Sequence, residues 1–209
     1  MEVELYDSIN VTEAPALRDE LMANQLNAVQ CPHCDFAFRV DKRLLYNDPE
    51  NRVMVFWFPG NEADYRSNKE EFIASMEALN TSLPDEFDPP SVHLVFTRSE
   101  LVERIFLLEA DLNERIIEYI KYMMYSRNSE KLDPKTKAIL FNTEDSTDES
   151  LCFVVQDLQS MKLEGMLEFD RSAYDDLVEM FDSDAKTAHL MELFPGPYIS
   201  ARELFMQEA

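Results

Sequence analysis

The sequence predicts an α+β protein, and three features of the chain lead to this fold class. A Cys-Pro-His-Cys turn at residues 31–34 lies between two short runs of alternating apolar residues, a pattern typical of a hairpin in a small antiparallel sheet. Residues 61–130 carry apolar side chains mainly at helical spacing. Residues 131–209 contain three short apolar runs separated by turn residues, and helical patterns follow them. We therefore expect an N-terminal sheet over residues 1–60, central helices, and a C-terminal antiparallel sheet with helices.

The N-terminal region is predicted to be a small sheet with one helix packed on it. Residues 2–6 alternate between acidic and apolar or aromatic side chains, which predicts a strand. Pro15 suits the first turn of a helix that ends near Gln25. A strand is expected to follow Cys34 and to run through Val40, because the side chains alternate there.

The central region is predicted to begin with a helix over residues 62–80. Residues 81–90 contain three prolines and predict a linker, since proline removes a backbone donor and disfavours regular structure. A strand is expected at 92–96. Thr97 or Ser99 is expected to cap the helix that comes next.

A strongly amphipathic helix is predicted to begin at Asp111 and to end near Arg127. We expect Asp111 and Arg115, one helical turn apart, to form a pair that adds a few tenths of a kcal/mol. We expect core packing for the soft aromatic end of this helix, with a partner-binding groove as the alternative. That end comprises Tyr119, Tyr122, Met123, Met124 and Tyr125.

The last third of the chain is predicted to form three antiparallel strands and then helices. The strands are expected at 138–141, 151–155 and 165–169, and the helices at 170–181, 186–193 and 200–207.

The charge of the chain restricts its partners. Its 42 acidic residues against 19 basic ones give a formal net charge of -23. Such a field repels nucleic-acid phosphates and anionic lipid, so we expect neither direct nucleic-acid binding nor membrane binding. The acidic surface favours a protein partner with a basic surface. Mimicry of DNA by an acidic inhibitor is an alternative.

The cysteine content and the N-terminus predict a cytoplasmic protein. Three cysteines do not form the disulfide framework of a small secreted domain. The N-terminus has no basic segment followed by an apolar one, and no apolar run has the length of a membrane span.

Cys31 and Cys34 are the strongest site candidate, as zinc ligands. A Cys-x-x-Cys turn on a hairpin supplies two thiolates to a tetrahedral metal, and zinc needs two more ligands. The candidates for those ligands are His33, Asp35, a distant residue, a second chain in a homodimer, or water. The pair could equally be two reduced thiols without a metal.

Thiol redox chemistry is a further alternative for the pair. It needs the first cysteine at a helix N-terminus, where its pKa is lowered, whereas the residues after Cys34 predict a strand. Cys152 lies in an apolar strand and is expected to be a buried small hydrophobe. His93 and His189 have no companion ligands at metal-binding spacing.

Several motifs in order resemble the CpXC family of small bacterial proteins. They are Tyr6-Asp7-Ser8-Ile9-Asn10, Cys31-Pro32-x-Cys34, Leu44-Leu45-Tyr46-x-Asp48-Pro49-Glu50, and the stretches 96–105 and 111–118. The resemblance implies a zinc-ribbon-like unit at 1–60 and no known activity. The family has two Cys-Pro-x-Cys motifs, and the first would lie just before Glu2. The resemblance therefore implies either a start upstream of Met1 or a member that has lost half of its site.

These observations together predict a non-catalytic, cytoplasmic, acidic interaction or regulatory protein with a partial or vestigial zinc knuckle. The division predicted for the chain is a ribbon-like unit at 1–60, a helical region at 61–130 and an α+β region at 131–209. A Cys-Pro-His-Cys redox protein or another enzyme is the main alternative.

Overall fold

The computed structural model describes residues 4–31, 33–34, 36–84 and 86–207, and it confirms the predicted α+β class. The chain divides into two compact units, Met1–Leu101 (unit 1) and Val102–Ala209 (unit 2). The division of the sequence into three regions stays a prediction.

Unit 1 is built on a mixed four-stranded sheet in the order β1-β4-β5-β6, and a separate two-stranded hairpin joins β2 to β3. In the four-stranded sheet β4 and β5 are antiparallel, while β1 and β6 run parallel to their neighbours. The strands are β1 (Ser8–Asn10), β2 (Ala28–Gln30), β3 (Ala37–Arg39), β4 (Leu44–Asp48), β5 (Val53–Trp57) and β6 (Ser91–Val95).

The first strand lies later in the chain than the alternation at 2–6 predicts. Glu2 and Val3 lie outside the described residues, and residues 4–6 form no strand. The physical reason is that the side-chain amide of Asn27 accepts from the Tyr6 N–H at 2.8 Å and donates to the Tyr6 carbonyl at 2.9 Å. Both backbone groups of Tyr6 are thereby withdrawn from a ladder.

The helices of unit 1 follow the prediction closely. Helix α1 (Pro15–Met22) begins at the expected proline, and a short 3-10 turn (Glu62–Asp64) leads into α2 (Tyr65–Ser82). Because β5 and β6 are parallel, α2 belongs to the crossover that joins them.

Helix α3 (Arg98–Glu109) is capped by Thr97, one of the two predicted caps. The Thr97 hydroxyl accepts from the Glu100 N–H at 3.1 Å, and the Glu100 carboxylate accepts from the Thr97 N–H at 3.0 Å. This reciprocal pair satisfies two backbone donors at the start of the helix.

Helix α4 (Glu114–Arg127) begins three residues after the predicted start. Asn113 caps it and accepts from the N–H groups of Arg115 and Ile116. Asp111 has a φ of 51° and precedes the helix, so the predicted helical pair with Arg115 is wrong. The Arg115 guanidinium instead donates to the Phe194 carbonyl at 3.0 Å.

The other elements of unit 2 confirm the three-stranded antiparallel meander and the helices after it. They are β7 (Lys137–Asn142), β8 (Ser150–Asp157), β9 (Leu163–Asp170), α5 (Arg171–Phe181), α6 (Asp184–Leu193) and α7 (Ala201–Gln207). The core of unit 2 is formed by side chains of its helices and of β7 and β8, and the aromatic end of α4 packs into or against it, as predicted. None of the helices in the described ranges is long and apolar enough to cross a membrane.

A buried charged cluster joins four elements of unit 2. The Lys121 ammonium on α4 lies 2.6 Å from a Glu103 carboxylate oxygen and 2.7 Å from a Glu118 oxygen. Glu103 also accepts from the Phe141 N–H on β7, and Glu118 accepts from the Ala201 N–H at the start of α7. Because all three side chains are buried, their attraction acts with little screening by water.

Replacing Lys121 by Met should lower the free energy of unfolding by about 3–5 kcal/mol, because it leaves two buried carboxylates facing each other. The matched variant Glu103→Gln keeps an acceptor for the Phe141 N–H, and burial already raises the pKa of Glu103, so its cost should be about 1–2 kcal/mol. Urea unfolding at pH 7 measures both. Equal losses of unfolding free energy in the two variants would show that the charge of Lys121 contributes no more to the cluster than the charge of Glu103.

The same cluster should limit stability on the alkaline side. Burial alone would lower the pKa of Lys121, but Glu103 and Glu118 outweigh burial, and the net shift is upward. A raised pKa in the folded state gives stability that is complete below the unfolded value of about 10.4 and is lost as the pH rises above it. Above about pH 10 the free energy of unfolding should therefore fall more steeply with pH for the wild type than for Lys121→Met. Parallel curves would contradict this assignment.

Candidate metal-binding hairpin

The two predicted metal ligands lie at the tip of the β2–β3 hairpin. The strands pair antiparallel, with Ala28 opposite Arg39, Val29 opposite Phe38 and Gln30 opposite Ala37. The backbone N–H of Cys31 donates to the Phe36 carbonyl at 2.8 Å, which closes the turn. This confirms the predicted hairpin, and the role of the two cysteines as metal ligands stays a prediction.

The base of the hairpin is fixed by Asn27. Its φ of 58° lies in the left-handed region, which asparagine tolerates better than most residues. Its carbonyl accepts from the Val40 N–H at 3.0 Å, and its side chain binds the backbone of Tyr6. Val29 is buried next to it. The tip therefore projects from an anchored base.

Arg98, in the same unit, fixes the end of α1. Its guanidinium donates to the carbonyls of Leu21 and Met22 at the end of α1, at 2.5 Å and 3.2 Å. Arg98 lines a small open pocket with Asn27 and Arg39. Sequence reasoning missed both Asn27 and Arg98. An asparagine just before a strand was the available signal for the first, and no local pattern marks the second.

The surroundings of Cys31 favour the charged form of its thiol. The backbone N–H of His33, and then the Cys34 thiol, donate hydrogen bonds to the Cys31 sulfur and lower its pKa. Hydrogen bonds to the charged form favour the thiolate, which is the form that binds metals and acts as a nucleophile. Cys31 is half-buried and Cys34 is exposed, so neither residue is enclosed in the core.

Two phenylalanine side chains are exposed on the same hairpin as the thiols. Phe36 and Phe38 are 63% and 47% exposed, and their rings stack with centroids 6.0 Å apart. The sequence predicts a strand here, but it does not indicate that these two side chains are exposed. Large exposed apolar side chains next to one another are typical of interaction surfaces.

The donor set fits zinc in type and is incomplete in number. Two thiolates are ligands that zinc prefers, and a tetrahedral site requires four. His33 is exposed at the tip, while the candidate ligand Asp35 lies outside the described residues. Within the part of the chain that is described, no group of three or more His, Cys, Asp or Glu side chains is placed to hold a metal. The remaining ligands stay a prediction.

The other candidate side chains lie elsewhere. Cys152 is buried on β8, as predicted, and its thiol donates to the Asp145 carbonyl at 3.0 Å. His93 is buried on β6, where its Nε2 lies 2.8 Å from the Ser91 hydroxyl. His189 is exposed on α6.

Comparison with known proteins gives one match. The family model described as CpXC protein matches residues 1–121, more than half of the 209-residue chain. No curated protein and no solved structure matches.

Alkylation of Cys31 should proceed at lower pH than that of a free thiol, because hydrogen bonds from His33 and Cys34 stabilise its thiolate. In Cys34→Ala the midpoint should rise but stay below the ordinary value of about 8.5, since the His33 N–H remains. Iodoacetamide labelling against pH, read by mass spectrometry in the Cys152→Ala background, measures this. A midpoint at the ordinary value in the parent chain would contradict the hydrogen-bonded geometry.

Proposed function

This chain belongs to the CpXC family, and on that premise we propose that it is a non-catalytic, acidic interaction protein of the cytoplasm. In this proposal the Cys31 and Cys34 thiolates form one half of a zinc site, and ligands from outside the described residues complete it. Its partner is a protein with a basic surface.

One observation carries the proposal: two accessible thiols and two exposed, stacked phenylalanine rings lie together on a hairpin with an anchored base. Thiolates alone would fit a metal site or a redox site. The adjoining apolar surface favours a site where a metal and a partner are bound together, because exposed apolar area is removed from water on association.

The net charge supports a basic partner. A formal charge of -23 raises the rate at which a basic protein encounters this surface and disfavours acidic ones. In 0.1 M salt, exposed charges more than about 10 Å apart are largely screened from one another. The complex is therefore expected to weaken steeply as ionic strength rises.

Thiol redox chemistry remains a second candidate, because the pKa of Cys31 is lowered. The usual device for a reactive first cysteine is a helix N-terminus. Here β3 follows the turn, and the lowered pKa comes from the His33 N–H and the Cys34 thiol. A metal ligand needs the same lowered pKa, so this observation alone does not favour redox chemistry over zinc.

Native mass spectrometry with elemental zinc analysis tests the proposal on protein purified without chelator. We expect one zinc per chain or one per two chains, and none in the Cys31→Ser, Cys34→Ser double variant. The variant Cys152→Ser is the matched control and should keep its zinc, because Cys152 is buried on β8 in unit 2, whereas the hairpin belongs to unit 1. Zinc-free wild-type protein that folds as stably as the double variant would refute the half-site.

A further inference from the structure

The two edge strands of the unit 2 sheet, β7 and β9, differ in whether side chains of helices bond to their outer backbone groups. At the β7 edge the Tyr125 hydroxyl accepts from the Ile139 N–H at 2.9 Å and donates to the Lys137 carbonyl at 3.1 Å. The Glu103 carboxylate accepts from the Phe141 N–H. These side chains close the β7 edge to any further strand.

The β9 edge is open. Among the strands of the described residues β9 pairs with β8 alone, and it runs for eight residues. Leu163 and Met166 on it are 63% and 51% exposed. A long exposed edge with apolar side chains is a template for pairing with another extended chain.

The register identifies the open backbone groups. In an antiparallel sheet, successive residues of a strand bond alternately to one side and to the other. The contacts above show that the backbone groups of residues 137, 139 and 141 point away from β8. The backbone groups of the residues between and after them, 138, 140 and 142, therefore point toward β8, where they pair with Gln156, Val154 and Cys152.

The intervening residues of β8 therefore bond to β9, through the pairs Phe153–Leu167 and Leu151–Phe169. This leaves the N–H and C=O of Met166 and Glu168 pointing outward. An independent contact agrees, since the Arg171 N–H donates to the Glu149 carbonyl at 2.9 Å. Because backbone groups alternate in direction along a strand, the N–H and C=O of residues 169 and 167 also point toward β8.

The side chains beside these groups specify the chemistry of an added strand. Leu140, Val154 and Met166 lie opposite one another across the three strands and form an apolar row. The next row ends in Glu168, which is exposed. A strand added at this edge would extend both rows, so it needs an apolar side chain beside Met166 and, two positions along, a basic one beside Glu168.

A second copy of the chain fits this edge poorly. β9 carries Glu164, Glu168 and Asp170 and no basic residue. Antiparallel or parallel pairing of β9 with itself would bring acidic side chains together in a molecule of charge -23, and like charges placed opposite one another destabilise a sheet. Charge complementarity selects a basic occupant.

We propose that the β9 edge is the docking site for an extended basic segment of a partner protein, bound as a fourth strand through the backbone of Met166 and Glu168. The proposal rests on the proposed function in that the partner is a basic protein. It does not involve the cysteine hairpin.

The probe is a fluorescein-labelled nine-residue peptide with threonine at every second position and lysine and valine alternating between them. A matched peptide carries glutamate in place of lysine. Fluorescence anisotropy with the full chain at low salt should show binding of the lysine peptide and none of the glutamate peptide. Raising the salt toward about 0.3 M should weaken the complex.

Two variants locate the binding site. Met166→Pro removes only an outward N–H, which an edge strand tolerates, and should weaken binding by about tenfold or more. Met166→Thr keeps that N–H and is its control. Glu168→Gln should weaken binding by about fivefold, whereas Glu179→Gln, an equal charge change at an exposed position of α5, should change it less than twofold.

Amide hydrogen exchange of the wild type locates the bound peptide without the Met166→Pro variant, in case that variant does not fold. In the wild type the amides of Met166 and Glu168 should exchange fast when free and slowly with the lysine peptide bound. The amides of Gly165 and Leu167 should be protected in both states, because they bond to β8.

The outcomes separate the edge proposal from the proposed function. If the lysine peptide binds in a salt-sensitive way and neither Met166→Pro nor Glu168→Gln weakens it, the proposal for the β9 edge is wrong. The proposal of an acidic interaction protein would then still hold. Absence of binding at low salt would overturn the edge together with the basic partner, and would leave the zinc half-site to its own test. Concentration-dependent dimerisation lost in Met166→Pro would assign the edge to a second copy instead.

Discussion

The arrangement of unit 2 depends on the burial of one ammonium group between two carboxylates. Lys121 contacts Glu103 and Glu118, and each carboxylate also accepts a backbone N–H from another element. Desolvating three charges costs several kcal/mol per ion, and only close geometry with additional hydrogen bonds offsets that cost. The cluster therefore requires α3, α4, β7 and α7 to occupy one relative position, and it disfavours alternative packings.

The same cluster determines which edge of the sheet remains available. Glu103 is held at the β7 backbone by Lys121, and Tyr125 lies one turn further along α4, where its hydroxyl binds the next positions of β7. Edge strands carry unpaired donors and acceptors that must be satisfied by something. Because side chains from the helices satisfy them at β7, the edge of this sheet that stays open is β9, which carries Glu164, Glu168 and Asp170.

The cysteine hairpin follows a different physical logic. Its base is held by Asn27 and Val29, while its tip carries the thiols and two exposed rings. A rigid base reduces the entropy lost when a metal or a partner is bound. The hairpin and the β9 edge lie in different compact units, so the hairpin can be altered without changing the sheet of unit 2. This separation allows the two sites to be tested independently.

The sequence by itself determined the fold class, most helices and strands, the knuckle, and the burial of Cys152. These features follow from local periodicity, from proline and glycine or capping signals, and from composition, all of which act within a few residues. Only the tertiary structure decided where β1 begins, because Asn27 binds Tyr6 from 21 residues away. It also decided where α4 begins: Leu112 packs into the core after Asp111 turns with a positive φ. Lys121 and Glu118 look like solvated charges in the sequence, and their burial depends on Glu103 and on the positions of β7 and α7. The open edge at β9 depends on strand register and on side chains from two helices, and such long-range pairings leave no local signal.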